Sequence, residues 1–380
     1  MVQALQMTLL MGTTTPRPVP TMVLDALESL EITHSDEGRS GFQLTFQVGR
    51  EDGTALSDYT LLGNGSLVEL FNRVIVLVTL DGTPQVLSDG IITHHQLLPG
   101  LMPGESKLVV TGEDVSVMMD LEEKILEYPA QNHTTIATQI IGRYARYGLV
   151  PQVTSPASDP VPLATEYIPV QHGTDLDYLQ TLAARHGYVF YVSPGVAVGT
   201  NTAYWGPPAR ASAPQAALSI NMGSATNVAS INFQYKSLAA TLVKGRIQDR
   251  QTNQIQPITI QKSTRSALAQ NSAFNHQRQV RQVWLRGVDG QSQAQAQDRA
   301  QAIADTSLDA VVTAEGSLET LTYGHVLHAR GVVGLRGAGH SYDGKYYVKR
   351  VTHEIGAGKY EQRFTLTREG IGTALSTVTV

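Results

Sequence analysis

Residues 145–150 read ARYGLV, and residues 184–189 read ARHGYV, a near copy thirty-nine positions on. Either the pair is a repeat with a job, with His186 as a candidate base, or two helices are stopped by one device. The residues upstream favour the second reading. In NHTTIATQIIGRYARYG (132–148), Ile136, Ile140, Tyr144 and Tyr147 fall on one helical face, with Ile141 beside it. Asn132 or Thr134 offers an N-cap oxygen. Gly148 stands where a left-handed residue ends a helix, and Pro151 forbids resumption. In TDLDYLQTLAARHG (174–187), Thr174 caps with Asp177 three residues later, the capping-box spacing with Asp in place of Glu. Leu176, Leu179, Leu182 and Ala183 form the apolar stripe and Gly187 closes the helix. Asp175 and Asp177 then sit in a first turn, where negative charge meets the helix dipole. YVFYV (188–192) follows at once as a buried strand. PQVTSPASDPVPLATE (151–166) between the helices reads as an extended loop, and YWGPP (204–208) closes the unit. Residues 120–208 are therefore predicted to be a small α+β domain.

Working outward, the flanks read as β. GFQLTFQV (41–48) alternates Phe42, Leu44, Phe46 and Val48 against Gln43, Thr45 and Gln47, a period of two. VIVLVTL (74–80) runs into the turn Asp81-Gly82, VLSDGIIT (86–93) contains a second Asp-Gly, and KLVVTGED (107–114) is another short strand. Short strands spaced by Gly-containing turns predict a barrel or sandwich over 1–119. Strands return in VASINFQYK (228–236) and TLVKGRIQD (241–249). A Gln-rich stretch follows, in which QSQAQAQDRAQAIADTSL (291–308) favours an ordered helix by its Ala, Arg and Ile spacing. Residues 209–380 are predicted to be a second β domain with a Gln-rich helical insertion over about 262–308. Its last strands are HVLHARGVV (325–333), KYYVKRVTHEI (345–355) and YEQRFTLTRE (360–369). The last two form a hairpin around residues 356–358 that sets Tyr346, Val348 and Val351 opposite Phe364 and Leu366.

Composition narrows the function classes. The chain has 380 residues, which suggests two or three domains. Only 16% are charged, below the roughly 25% of ordinary soluble domains. The net charge of −5 gives no electrostatic reason to expect nucleic acid or an anionic membrane. The lack of cysteine removes disulfides, thiolate nucleophiles and Cys-ligated zinc together. The N-terminal apolar stretch lacks a basic region, so no signal peptide is predicted, and no apolar run approaches the roughly 20 residues of a membrane span.

Motifs that carry chemistry are weak. His94 and His95 are adjacent in a strand, so their rings point to opposite faces. Thr352-His353-Glu354 lacks zincin spacing, and His325 and His328 are placed on opposite faces of a strand. GLRGAG (334–339) is followed by turn and strand rather than a helix, which reads as a β-turn cluster instead of a nucleotide loop. No GxSxG elbow or P-loop is present. A base at His186 would need an orienting partner that the sequence does not name. No catalytic, metal or cofactor residue is predicted.

The block from ATQIIGRYARYGLVPQV through VQHGTDLDYLQTLAARHGYVFYV resembles the late control protein D family, baseplate hubs of contractile phage tails and injection systems. That family is similar to the hub half of type VI secretion spike proteins. The matching positions are Arg146, Tyr147, Gly148, Leu149, Gln171, Asp177, Tyr178, Leu179, Leu182, Ala183, Arg185, Gly187, Tyr188 and Phe190. Tyr347, His353, Tyr360 and Phe364 lie in a stretch similar to the family's closing hairpin, and GFQLTFQV and LVVTGEDVSVMMD are similar to its opening barrel. The departure is Leu176, where relatives often carry Trp. The resemblance implies two tube-like β-barrels flanking the α+β domain and a homotrimer with pseudo-sixfold symmetry. It implies as partners the first inner-tube ring, a separate trimeric spike and other baseplate proteins, with no cofactor. The protein would be made in the cytoplasm and assembled into the particle. The rival readings are a hub relative that hydrolyses peptidoglycan and a glycan-binding β-rich adhesin.

Overall fold

A computed structural model describes residues 5–13, 15–50, 58–63, 65–102, 104–165, 167–248, 253–287 and 292–373. The period-two stretches become strands as the alternation dictates. In Gly41–Gln47 the buried residues are Phe42, Leu44 and Phe46, and the glutamines face out. This strand lies between Leu27–Ser35 and Lys107–Asp114, and the sheet continues antiparallel through Thr83–Leu98, Arg73–Leu80 and Leu5–Gly12. Its apolar face closes over a core that includes Leu9, Ile32, Phe42, Phe46, Val76 and Val110.

Asp81 and Gly82 make the expected turn, with φ of 50° and 79°. The second Asp-Gly does not turn. Asp89 and Gly90 run inside the 16-residue strand Thr83–Leu98, because the Asp89 carboxylate is buried against Arg73 instead of capping a loop. The strand bends by register shifts at Val76/Leu77 and Ile92/His94.

The C-terminal half repeats the theme. Strands Ser230–Tyr235, Val312–Glu319, Lys359–Arg368 and Gly344–Gly356 follow one another antiparallel. The closing hairpin has the expected register, with Val348 opposite Leu366 and Val351 opposite Phe364. The HVLHARGVV strand starts later than expected, at Val332, because Arg330 takes a positive φ of 67° that breaks the extension. GLRGAG forms the end of that strand and the expected turn. The class is mainly β with an α+β insertion, but among the described residues the ladders close no barrel. Instead Gly344–Gly356 pairs with Leu27–Ser35, so both halves belong to one 13-stranded sheet.

Between them lies the helical insert. The helix His133–Gly142 is capped by Asn132, whose Oδ1 accepts from the Thr135 N–H at 3.0 Å. It stops five residues before Tyr147, and a separate 3-10 turn, Ala145–Tyr147, carries the chain to Gly148. The expected single helix is thus broken: Ile136, Ile140, Ile141 and Tyr144 are buried, but Tyr147 of the expected stripe, carried by the separate turn, is only half-buried. The second helix, Asp175–Arg185, is capped by Thr174 and buries Leu176, Leu179 and Leu182. Three such leucines contribute roughly 5–9 kcal/mol of gross burial before entropy. Strand Val189–Pro194 pairs with Asn201–Gly206, which lies parallel to Leu149–Val153.

The Gln-rich helix is Gln293–Asp309, with a full capping box between Ser292 and Gln295; position 291 lies outside the described residues. Its Ala296, Ala300 and Ala304 pack on Val243, Ile247 and Ile258 of a small separate sheet made of Thr241–Gln248, Ile255–Ile260 and Arg281–Trp284. No helix among the described residues is long and apolar enough to cross a membrane.

Candidate functional site

Several of the residues that carry the resemblance lie at junctions between these units. At ARYGLV, Gly148 has φ of 81°, and a Cβ on it would stand 2.0 Å from the Gly199 carbonyl oxygen. Only glycine allows that approach. Its own carbonyl accepts from the Asn201 N–H at 2.8 Å. Beside it, Arg73 donates from Nε and Nη2 to both oxygens of Asp89, each at 2.7 Å. Arg73 Nη2 also reaches the carbonyls of Tyr147 and Gly199 at 3.1 Å, and Asn201 Nδ2 donates to Asp89 at 2.9 Å. A bidentate, buried ion pair thus clamps the insert to the N-terminal sheet. Arg146 remains exposed, its guanidinium 4.8 Å from the Tyr147 ring centroid.

Gln171 and Tyr178 meet at a buried polar node that sequence reasoning missed. Its centre is Asp175, wholly buried, which accepts from Lys124 Nζ (2.8 Å), Gln171 Nε2 (2.8 Å), Tyr144 Oη (2.8 Å) and Arg143 Nη1 (3.2 Å). Burial alone would raise its pKa, but these donors, Lys124 first, hold the carboxyl below the ordinary value. Tyr144 is pushed up by burial and by donating to Asp175. Tyr128 Oη donates to Gln171 Oε1 at 2.7 Å, and the Tyr128 ring stacks on Tyr178. Leu179 adds its carbonyl, which accepts from Trp205 Nε1 at 3.1 Å. The signal for Asp175 was present as a first-turn acid, but its partners come from three other segments. Asp177 and Arg185 face solvent.

At ARHGYV the helix ends in a Schellman motif. Tyr188 N–H donates to the Ala183 carbonyl at 2.8 Å and Gly187 N–H to that of Ala184 at 3.2 Å, with Gly187 at φ of 65°. Gly187 abuts Ala302 of the Gln-rich helix. His186 does have an orienting partner, Asp298, 112 residues away, whose Oδ2 lies 2.6 Å from Nδ1. Its Nε2 is 2.8 Å from His133 Nδ1, so both ring nitrogens are engaged. His133 is held near pKa 4, by burial first and then by His186. The Asp159 carboxylate caps the helix at His133 and Thr134, at 2.9–3.0 Å to the two backbone N–H groups. His133, Asp159 and His186 form a set with metal-ligand geometry among the described residues. Spacing rules found none, since the three lie 26 and 27 positions apart.

The remaining motif residues sit away from this insert. His353 is buried and its Nδ1 lies 3.0 Å from Tyr360 Oη, while Phe364 and Tyr347 fill the C-terminal core. His325 and His328 lie outside any strand, so the opposite-face reading does not apply to them; Gln362 ties that loop down through the His325 carbonyl and the Leu327 N–H. A further missed residue is Arg330. It is buried and donates to the Ser35 carbonyl, Ser40 Oγ, the Val192 carbonyl and Ser193 Oγ at 2.7–3.1 Å, with its guanidinium 4.0 Å from the Tyr191 centroid. One side chain thereby joins the N-terminal sheet, the insert and the C-terminal half.

These junctions sit in a fold shared end to end with tail proteins. No protein-family model matches the chain, and no curated protein matches it. Among solved structures it is similar to a tail protein from Neisseria meningitidis, with 12% identity, a TM-score of 0.64, and coverage of 96% of this chain and 98% of that one. It is similar to a 43 kDa tail protein of prophage MuSo2 from Shewanella oneidensis, with 13% identity, a TM-score of 0.62, and coverage of 96% and 99%. A third similar structure is an E. coli type VI secretion component described as resembling T4 bacteriophage tail proteins, with 13% identity, a TM-score of 0.56, and coverage of 93% and 77%. At such identities the likeness is one of fold.

Proposed function

We propose that this chain is a non-enzymatic baseplate hub of a contractile tail or injection particle. In this reading it is a homotrimer that seats the hexameric inner tube on one side and a trimeric spike on the other. The observation that carries the reading is the end-to-end match to two tail proteins, which leaves almost nothing of either chain unmatched. The two β halves supply the rest of the mechanism. Three copies would set six β-rich halves, two per chain, around an axis, so a threefold body could meet a sixfold ring. The low charge content suits extensive permanent interfaces, whose cores are depleted in charge. The Arg330 junction and the Arg73–Asp89 clamp suit a body that transmits load between tube and spike without flexing. In this reading the protein also contacts other baseplate proteins and is made in the cytoplasm before assembly.

Mass photometry of the purified chain is expected to give three times 41.0 kDa. A stable monomer at micromolar concentration would sink the proposal. A cell-wall degradation assay is expected to be blank, and release of peptidoglycan fragments would favour the hydrolase reading instead.

A further inference from the structure

We propose that His133, His186 and Asp159 bind a divalent transition metal, with Asp298 as the carboxylate that orients His186. The site does not depend on the hub reading. It stands on four observations. His133 Nδ1 and His186 Nε2 face each other at 2.8 Å, and one ring nitrogen of each histidine and one Asp159 oxygen lie within 4.8 Å of one another. Asp159 is itself held by Thr134 Oγ1 and by the two N–H groups of the helix start, so its carboxylate is fixed in place. Asp298 Oδ2 lies 2.6 Å from His186 Nδ1; with the proton on Nδ1 the carboxylate accepts it, and the Nε2 lone pair faces the site. That is the outer carboxylate–histidine arrangement that metal ligands use to set their tautomer. Finally, the His186 ring sits edge-on to Trp205 and tilted against Tyr188, each with centroids 5.9 Å away.

In the metal-free chain one proton must lie between the two facing imidazole nitrogens, since two lone pairs at 2.8 Å repel. A metal ion takes the place of that proton, which moves to His133 Nε2 so that both rings stay neutral. With metal–nitrogen bonds of about 2.0–2.1 Å, tetrahedral geometry needs the nitrogens about 3.3 Å apart, a shift that a small ring rotation of the half-exposed His133 supplies. Two neutral imidazoles and one carboxylate suit Zn²⁺, Ni²⁺ or Cu²⁺ rather than Mg²⁺ or Ca²⁺. Asp159 and Asp298 together balance a charge of two, and a water completes the fourth position. The ion would join the start of helix His133–Gly142 to the end of helix Asp175–Arg185. Through Asp298 it would also tie both to the Gln-rich helix.

The test uses the full chain without a polyhistidine tag, stripped with chelator and then titrated with zinc alone. One equivalent per chain, retained on dialysis and raising the melting temperature, is expected. His133→Gln and His186→Gln are expected to abolish the uptake, and Asp298→Asn to weaken it about 10–100-fold. Absence of stoichiometric uptake overturns the proposal, as does uptake unchanged in the histidine variants. Should those variants not fold, cobalt loading of the unaltered chain decides: intense visible bands of tetrahedral cobalt support the site, and the pale spectrum of aqueous cobalt overturns it.

Discussion

ARYGLV and ARHGYV are built alike and used differently. Both end a helical segment on a left-handed glycine, Gly148 at φ of 81° and Gly187 at 65°. At the first, the chain is pressed onto the backbone at Gly199 and clamped by a buried Arg–Asp pair. At the second, it meets Ala302 of another helix, and its neighbour His186 is bonded to a partly buried carboxylate. A local device therefore says where a chain reverses, while its surroundings decide whether the reversal is a rigid seam or a polar junction open to ligands.

The sharpest way to break this contrast is to remove the clamp. Arg73→Met leaves the Asp89 carboxylate buried without its cation, and a loss of about 3–5 kcal/mol is expected in urea denaturation. A loss under about 1 kcal/mol would show that the seam is not held there. Gly148→Ala comes next. Left-handed backbone costs an L-residue about 1–2 kcal/mol, and overpacking against Gly199 adds about 1–3. Gly187→Ala meets its nearest atom, Ala302 Cα, at 3.1 Å, and should cost only the backbone part, about 1–2 kcal/mol. Equal losses at the two glycines, read from the same denaturation curves, would erase the distinction.

The smallest expected effect is on pH, and it acts at the strand pair joining the two halves rather than at either glycine. His34, on Leu27–Ser35, is pushed down to about 3 by burial and then by Arg330, and His353 of the paired strand, its ring centroid 5.8 Å from that of His34, is held well below its usual value by burial and then by His34. The unfolded chain takes up those protons near pH 6.5 and the folded chain does not. Stability is therefore full above pH 6.5 and falls as the pH drops toward about 3. Asp36, raised to about 6 chiefly by burial, opposes this, because its folded form holds a proton that the unfolded form releases. Each depressed histidine is expected to cost roughly 1 kcal/mol between pH 6.5 and 5.5, and His34→Gln should remove its own share of that loss. The Arg73–Asp89 seam should be untouched, so hydrogen exchange at Asn201 should not change over that range.

Much of the fold could be read from local pattern. Phe42, Leu44 and Phe46 declare a strand face, the leucines at 176, 179 and 182 a helix face, and Gly148 and Gly187 two reversals. These follow from periods of 2.0 and 3.6 and from the steric freedom of glycine, which act over a few residues. The resemblance pointed toward tail proteins, whose fold the chain shares, and the positions that carried it lie mostly in cores and seams.

What lay beyond the sequence has one physical cause. A polar contact or strand pairing is specified by geometry across space and leaves no period along the chain. Hence Asp89-Gly90 read as a turn signal until Arg73 drew the carboxylate inward, and Asp175 read as a helix-dipole acid until Lys124, Arg143, Tyr144 and Gln171 surrounded it. Hence too the two halves read as separate barrels, whereas backbone hydrogen bonding between Leu27–Ser35 and Gly344–Gly356 joins them in one sheet. His186 shows both sides. Its place at a helix end is dictated by the six residues around it, and its bonds to His133 and Asp298 exist only because the folded chain brings three distant segments within hydrogen-bonding reach.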